Sequence, residues 1–483
     1  MMTETSPASD SSASAAPQRQ LNLFDTTSII VAIVLGTGIY MTTPLIASKV
    51  PSVAWLFGVW LAGAALSFVG ALCYGELTTM YPRAGGDYFY LTRAYGRDPG
   101  FLFAWSELWI TRPGNIGALA FVFGQYAYHL WPWAEEMTRS FALWPWGQVS
   151  LKAVALLLYA AAPVVLLTGV NIVGVREGKW TQNVLTILKL AGPLMILVAG
   201  LMFSPGARAA AAPPAREFDF GGVKLALILV LFTYGGWSEI ATVGAEVRRP
   251  EKNMLRSLLL GMGAITVIYL VLNYMFLHVL GFEGFSKSEA VAADTVQPAF
   301  GQIGDRLISL MITISALGAL SAQIFTGARI YYAMGRDHAL YAWLGRWNER
   351  SGTPVRSLVL QAAASVALIV VFGLSESEKA GAFEQLVGFT APLFWAFFTM
   401  VGLSVFVFRA LEPKAPRPFR VPLFPLPPIL FCLMTVFMLY ASIDYAINVG
   451  GKKTFWWVAV MAVGVAMVFV NRLFKASARE TDP

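Results

Sequence analysis

Two short glycine-rich segments interrupt hydrophobic stretches that are long enough to be membrane helices. They are residues 35–39 (LGTGI), within the stretch 27–47, and residues 234–238 (YGGWS), within the stretch 223–243. Glycine weakens a helix interior, and an unpaired backbone N–H or C=O group in lipid costs several kcal/mol. A break at membrane depth therefore survives only where it is buried in protein or faces a watery cavity. The two breaks predict a solute-binding site near the middle of the bilayer.

The breaks also indicate which chemical groups such a site would bind. A broken helix leaves N–H groups at a positive dipole end on one half and C=O groups on the other half. A carboxylate suits the first half and an ammonium suits the second, and a free amino acid carries both groups on one carbon. Side chains would line the rest of the cavity, and the candidates are Thr37, Ile39, Tyr40, Phe232, Trp237, Ser238 and Glu239.

Glu239, Lys189 and Arg112 are charged residues inside hydrophobic stretches, where ionisable groups mark substrate or proton pathways. Glu239 follows the second break, and we expect it to face the site; the alternative is a protonated carboxyl bonded to a neighbouring helix. Lys189 lies deep in its stretch, where its ammonium would replace a sodium ion and bond carbonyls freed by the first break; the alternative is snorkelling to an interface. Arg112 is followed by Pro113 and Gly114, which predicts a local kink.

Composition places these segments in an integral membrane protein. Of the 483 residues, 57% are hydrophobic and 13% are charged, whereas a soluble domain has about 25% charged residues. A bilayer-spanning helix needs roughly 20 apolar residues. We therefore predict an all-α polytopic membrane protein with twelve transmembrane helices, at residues 25–48, 54–79, 99–130, 150–172, 180–203, 222–246, 255–281, 306–334, 356–374, 383–410, 422–443 and 454–474.

The first ten predicted spans divide into two sets of five, and each set begins with a glycine-broken helix. Because five is odd, the second set enters the membrane upside down, which is the inverted repeat of many secondary transporters. Loops on one side carry 22 Lys and Arg residues and those on the other carry 10, so the richer side and both termini are predicted to be cytoplasmic. The predicted regions are a disordered N-terminal tail (1–20), two repeats (21–203 and 222–410), two further helices (422–474) and a cytoplasmic tail (475–483).

The sequence has no pattern typical of nucleic-acid binding, metal binding or catalysis. The basic residues are scattered over loops and form no single stripe, which argues against nucleic-acid binding. Cys73 and Cys432 lie within apolar spans, and the three His residues lack metal-ligand spacing. We therefore expect no metal, no cofactor and no enzymatic activity.

Several motifs carry a resemblance to the amino acid–polyamine–organocation superfamily of transporters, and within it to the L-type amino acid transporters, the light chains of heteromeric amino acid transporters. The likeness covers about residues 21–420. Its motifs are residues 36–40 (GTGIY), 69–77 (VGALCYGEL), 85–88 (GGDY), 110–113 (ITRP), 232–237 (FTYGGW) with Glu246, Pro250 and Asn253, and 324–329 (IFTGAR).

The resemblance implies a LeuT-type fold of five plus five helices, with broken helices 1 and 6, and an exchange of amino acids. Lys189 matches the fifth-span lysine that replaces sodium in such proteins, so sodium-independent transport is implied. Phe232 would be an aromatic gate. The residues implied to meet the substrate carboxylate are Thr37, Gly38 and Ile39, and those implied to meet its ammonium are Phe232, Tyr234 and Gly235.

The sequence departs from that family pattern in two places. The loop at residues 131–149 has no cysteine, so a disulfide to a heavy chain is excluded and a stand-alone prokaryotic type is implied. Ser238 and Glu239 replace an Asn and an aromatic residue of the large-neutral carriers, which suggests small polar or cationic substrates, or a coupling proton. The alternatives are therefore an amino acid exchanger of the plasma membrane, a proton-coupled amino acid or polyamine symporter with Glu239 as proton carrier, and a non-transporting membrane sensor.

Overall fold

The computed structural model describes residues 18–133, 140–143, 147–202, 217–288, 290–301, 303–374, 381–448 and 455–480. Among the described residues, the regular elements are helices and one antiparallel hairpin, β1 (Ser140–Leu143) with β2 (Gly147–Ser150). The helices are α1 Leu23–Val34, α2 Gly38–Lys49, α3 Val53–Met80, α4 Asp87–Tyr95, α5 Arg97–Ser106, α6 Arg112–Leu130, α7 Leu151–Val173, α8 Val175–Lys189, α9 Ala191–Met202, α10 Phe220–Thr233, α11 Pro250–Lys287, α12 Val291–Phe300, α13 Ile303–Asp337, α14 Val355–Gly373, α15 Ala382–Leu411, α16 Leu426–Asn448 and α17 Trp456–Glu480.

The predicted class of an all-α polytopic membrane protein is confirmed. Within the described residues, nine helices are long and apolar enough to cross a membrane, and the bent pair of α1 and α2 would make a tenth span. Two more predicted spans correspond to the run α5–α6 and to α17. The count of twelve spans and the division into inverted repeats remain predictions.

The first span is broken where its glycines predicted. A capping box of Asn22 and Asp25 starts α1, and α1 and α2 meet at an angle of 50°. The N–H of Gly36 turns back to the C=O of Val34 at 2.7 Å. In a continuous helix it would bond the C=O of Ala32, so the turn frees that carbonyl.

The sixth span is also interrupted at its glycines. After α10, residues 234–236 form a turn, and a 3₁₀-helix, Trp237–Thr242, continues the span. Gly236 has φ +99°, which favours glycine. A Cβ on this residue would lie 2.4 Å from Cγ2 of Ile33 in α1. The second break therefore packs directly against the first span.

The third span is distorted one turn before the predicted position. A π-helical segment, Glu107–Thr111, separates α5 from α6, and Pro113 lies in the first turn of α6. The backbone stays helical from α5 through the π turn into α6, and within such a run proline has no N–H to donate to the preceding turn. π turns of this kind are frequent at functional sites.

The N-terminal segment is joined to the end of the sixth span. The N–H groups of Gln20 and Leu21 donate to the C=O of Glu246 at 2.8 and 2.9 Å, and the N–H of Arg248 donates to the C=O of Leu21 at 2.7 Å. Residues 1–17 of the predicted tail lie outside the described residues. At the other end, α17 continues to Glu480, into the predicted C-terminal tail.

Candidate functional site

The first break presents backbone donors at the start of α2. The N–H groups of Thr37, Gly38 and Ile39 have no backbone acceptor within the described residues. Thr37 is 4% exposed and Ile39 is fully buried, so these donors lie inside the protein. Together with the positive end of the α2 dipole, they can bind an anion such as a carboxylate.

The two breaks lie side by side. The hydroxyl oxygen of Tyr269 in α11 is 2.7 Å from the C=O of Val34 and 3.2 Å from the C=O of Thr233. The hydroxyls of Thr42 and Thr233 are 2.9 Å apart, and a Cβ on Gly38 would lie 3.5 Å from Cγ2 of Thr233. The two broken helices are therefore in direct contact, and the binding of one ligand by both remains a prediction. Tyr269 was missed in the sequence, where it is one tyrosine in an apolar span.

Lys189 lies next to the first break. Its Nζ donates to the C=O of Ala32 at 2.6 Å, which is the carbonyl that the turn at Gly36 leaves free. The hydroxyl of Ser315 donates to another carbonyl of the break, that of Leu35, at 3.3 Å. Lys189 is 1% exposed, so snorkelling to an interface does not describe it. A fixed cation on a freed carbonyl is the arrangement expected of an ion surrogate.

The side chains of the second break take different directions. Tyr234 packs against Trp60 and Tyr269, with ring centroids 5.8 and 5.2 Å away, so only its backbone belongs to the break. The N–H of Gly235 donates to the C=O of Phe232 at 3.0 Å. The side chain of Phe232 is 40% exposed, and its role as a gate stays a prediction.

Glu239 belongs to a buried cluster of charges. Its Oε2 lies 2.7 Å from a guanidinium nitrogen of Arg112, and the same nitrogen lies 3.1 Å from Oε2 of Glu107. Arg112 also donates to Gln323, and Thr326 donates to Glu239 at 3.5 Å. Of these residues the sequence had indicated Glu239 and Arg112. The missed signal was Glu107, an acidic residue five positions before Arg112 in the same apolar span.

A small cavity lies beside this cluster. Ser238 and Glu239 are part of its wall, and two phenylalanines of α15 form another part. Its volume of about 20 Å³ is room for about one water molecule. A larger side chain would enter only if the wall moved. The lining residues are Asp87, Phe103, Glu107, Arg112, Ser238, Glu239, Thr242, Ile330, Phe394 and Phe398.

The arrangement suits the binding of a small solute. The described residues contain no cluster of three His, Cys, Asp or Glu side chains that could hold a metal ion. Backbone donors stand at one break, backbone acceptors at the other, and a charged cluster follows the second. These three regions suit a zwitterion whose carboxylate, ammonium and side chain are attached to one carbon.

Comparisons with known proteins find similarity to amino acid transporters. A sequence profile described as amino acid permease matches residues 21–470. The b(0,+)-type amino acid transporter 1 of Mus musculus is 27% identical over 88% of this chain and 83% of its own length. The serine/threonine exchanger SteT of Bacillus subtilis (strain 168) is 26% identical, over 88% and 91%. The large neutral amino acids transporter small subunit 2 of Mus musculus is 26% identical, over 97% and 84%.

Proposed function

Because the chain belongs to the amino acid permease family, we propose that it exchanges amino acids across the cell membrane by alternating access. The observation that carries the proposal is the pairing of the two breaks. The free N–H groups at residues 37–39 would bind the substrate carboxylate. The C=O groups of Tyr234 and Gly235 in the second break, which accept no backbone hydrogen bond within the described residues, would bind its ammonium.

The proposed substrates are amino acids with small polar, neutral side chains. Glu239 forms an ion pair with Arg112 at 2.7 Å, so its carboxylate is less available to a cationic substrate side chain. Ser238 offers a hydroxyl at the same cavity, and the cavity is small. One relative is named a serine/threonine exchanger, which agrees with this choice.

Transport is proposed to be independent of sodium. Lys189 donates to the carbonyl of Ala32, where a sodium ion would otherwise need oxygen ligands. A resident ammonium supplies the positive charge without an ion from solution. The protein is further proposed to work without a disulfide-linked heavy chain, with both termini in the cytoplasm.

The test is uptake of radiolabelled serine by proteoliposomes. We expect uptake when the vesicles contain unlabelled serine, little uptake into empty vesicles, and the same rate when choline replaces sodium. Uptake that requires sodium would contradict the role given to Lys189. Failure to move any of the twenty amino acids would refute the proposal.

A second candidate is proton-coupled symport, favoured by the excess of carboxyl groups around Arg112. It predicts uptake into empty vesicles when the outside is acidic. The same assay with an inward pH gradient separates it from exchange.

A further inference from the structure

The cavity next to Glu239 has more carboxyl groups than cations in its wall. Among the described residues that line it, three carboxyl groups, those of Asp87, Glu107 and Glu239, face one guanidinium, that of Arg112. If all four were ionised, the cavity would carry a net charge of −2. Charges are poorly screened inside a protein, and a buried group without a counter-charge tends to become neutral instead. At least one of the three carboxyl groups should therefore hold a proton.

Hydrogen bonding indicates which carboxyl group that is. Glu107 and Glu239 each contact Arg112, at 3.1 and 2.7 Å. Asp87 has no ion pair within the described residues. Its Oδ2 accepts from the hydroxyl of Tyr74 at 2.8 Å, whereas its Oδ1 is buried without a hydrogen-bond partner. An ionised oxygen without a donor is costly to bury, and a proton on Oδ1 would remove that charge.

Burial has the largest effect on the pKa of Asp87. This residue begins α4, outside the predicted spans, and burial raises the pKa of its carboxyl to about 8, while the hydrogen bond from Tyr74 and the charge of Arg112 act to lower it. Phe103, Phe394 and Phe398 bring only apolar groups to the cavity from α5 and α15. From α13, Arg329 is bound by Glu246 at 2.7 Å. The titratable or charged groups that face Asp87 are Tyr74, Tyr90, Glu107, Arg112 and Glu239.

We propose that this cavity is a proton-binding site, and that Asp87 is the residue that holds the proton. The proton comes from the aqueous phase and remains bound at neutral pH. The neutral carboxyl lets α4 pack against α5 and α15 without adding a third negative charge. Glu239 then keeps its ion pair with Arg112 at 2.7 Å. The proposal holds whether or not the protein carries amino acids.

Proton binding by Asp87 makes the stability of the folded protein depend on pH. Asp87 binds its proton more tightly in the folded protein than in an unfolded chain, where the pKa of aspartate is about 3.9. The folded state therefore binds more protons than the unfolded state between that pH and about 8. Stability due to this group falls as the pH rises through that window and is constant above it. An asparagine at the position, which cannot ionise, removes this fall.

The first experiment compares the apparent unfolding temperatures of the purified full-length protein and Asp87→Asn. The variant keeps the size of the side chain and an acceptor for Tyr74. We expect it to gain stability over the parent steadily from about pH 5 to about pH 8, with no further gain at higher pH. Glu283→Gln, a surface carboxyl 2.9 Å from Lys287, is the matched control and should show no such trend. A difference between the parent and Asp87→Asn that is constant over the whole range would overturn the proposal.

A measurement on the unaltered protein covers the case in which Asp87→Asn does not fold. Infrared absorption distinguishes protonated from ionised carboxyl groups. We expect a protonated carboxyl band at neutral pH that disappears as the pH passes about 8. If no protonated band is present at neutral pH, the site holds no proton and the proposal is wrong.

A transport assay tests the assignment of the proton to Asp87 independently. With equal pH on both sides of the vesicle membrane, exchange by the parent should fall about tenfold between about pH 7 and pH 9, because an ionised Asp87 adds a third negative charge to the cavity beside Glu239. This alkaline fall should be absent in Asp87→Asn, and its persistence there would contradict the assignment. If neither protein transports an amino acid, the proposed function fails, while the stability comparison still reports on Asp87.

Discussion

Arg112 lies between two carboxylates, and this arrangement defines the chemistry of the candidate side-chain pocket. Its guanidinium reaches Glu107 and Glu239 and also donates to Gln323. A buried ion pair gains little net stability, but removal of one partner leaves an uncompensated charge. The cluster is therefore sensitive to which member is lost. Loss of the shared cation leaves two charges unpaired, whereas loss of one carboxylate leaves the cation with the other.

Arg112→Gln should destabilise the protein far more than Glu239→Gln. The first change leaves Glu107 and Glu239 without a cation, at a cost of about 3–5 kcal/mol. In Glu239→Gln, Arg112 keeps Glu107 at 3.1 Å, and the main effect should be a changed ranking of substrates. Apparent unfolding temperatures and a panel of competing amino acids measure the two effects. Equal destabilisation by both changes would argue against a shared guanidinium.

Lys189→Met should impair exchange while the protein still folds. Methionine retains the length of the side chain but leaves the C=O of Ala32 without its donor, which costs about 1–3 kcal/mol. A loss of about 1.4 kcal/mol at the transition state would slow exchange roughly tenfold. Lys287→Met, at a residue whose side chain is 76% exposed, is the control and should be neutral. Normal exchange by Lys189→Met would exclude the ion-surrogate role.

The two interrupted helices are stabilised by packing against each other. The sixth span turns at Gly236 directly over Ile33 of the first span, and Tyr269 of α11 bonds the open ends of both. Neighbouring side chains bond some of the N–H and C=O groups that the breaks release, and the others are available to a ligand. Such groups need a partner because the surroundings have a low dielectric constant.

Gly236→Ala should be poorly tolerated, whereas Gly36→Ala should be nearly neutral. Alanine at residue 236 would adopt φ +99°, which costs about 1–3 kcal/mol, and its Cβ would lie 2.4 Å from Ile33. At residue 36 the nearest atoms to a Cβ are carbonyl oxygens 3.8 and 3.9 Å away. Thermal unfolding and serine exchange would be measured for both. A Gly236→Ala protein as stable as Gly36→Ala would mean that the turn is not constrained.

Across the whole molecule, the described N-terminal segment ties the first span to the sixth and, through it, to the eighth. Leu21 pairs with the backbone of residues 246–248. The carboxylate of Glu246 is held by Arg329 of α13 with bonds of 2.7 and 3.1 Å. These contacts join three spans at one end of the protein.

The predicted orientation is tested by labelling with a membrane-impermeant thiol reagent. A cysteine at Lys49 should react in intact cells, because this residue lies on the side predicted to be extracellular. A cysteine at Arg346 should react only after permeabilisation. Both residues are exposed, and the parent protein, in which Cys73 is buried and Cys432 lies in a span, gives the background. The reverse labelling pattern would invert the predicted topology.

The sequence by itself determined the class of protein, the position of both breaks and the presence of charged residues at membrane depth. These follow from local rules, since hydrophobic length defines a span and adjacent glycines interrupt it. The tertiary structure alone decided the partners: Arg112 for Glu239, Ala32 for Lys189 and Tyr269 for both breaks. These contacts join residues more than 30 positions apart. Their geometry depends on how the helices pack, which no local pattern of residues encodes.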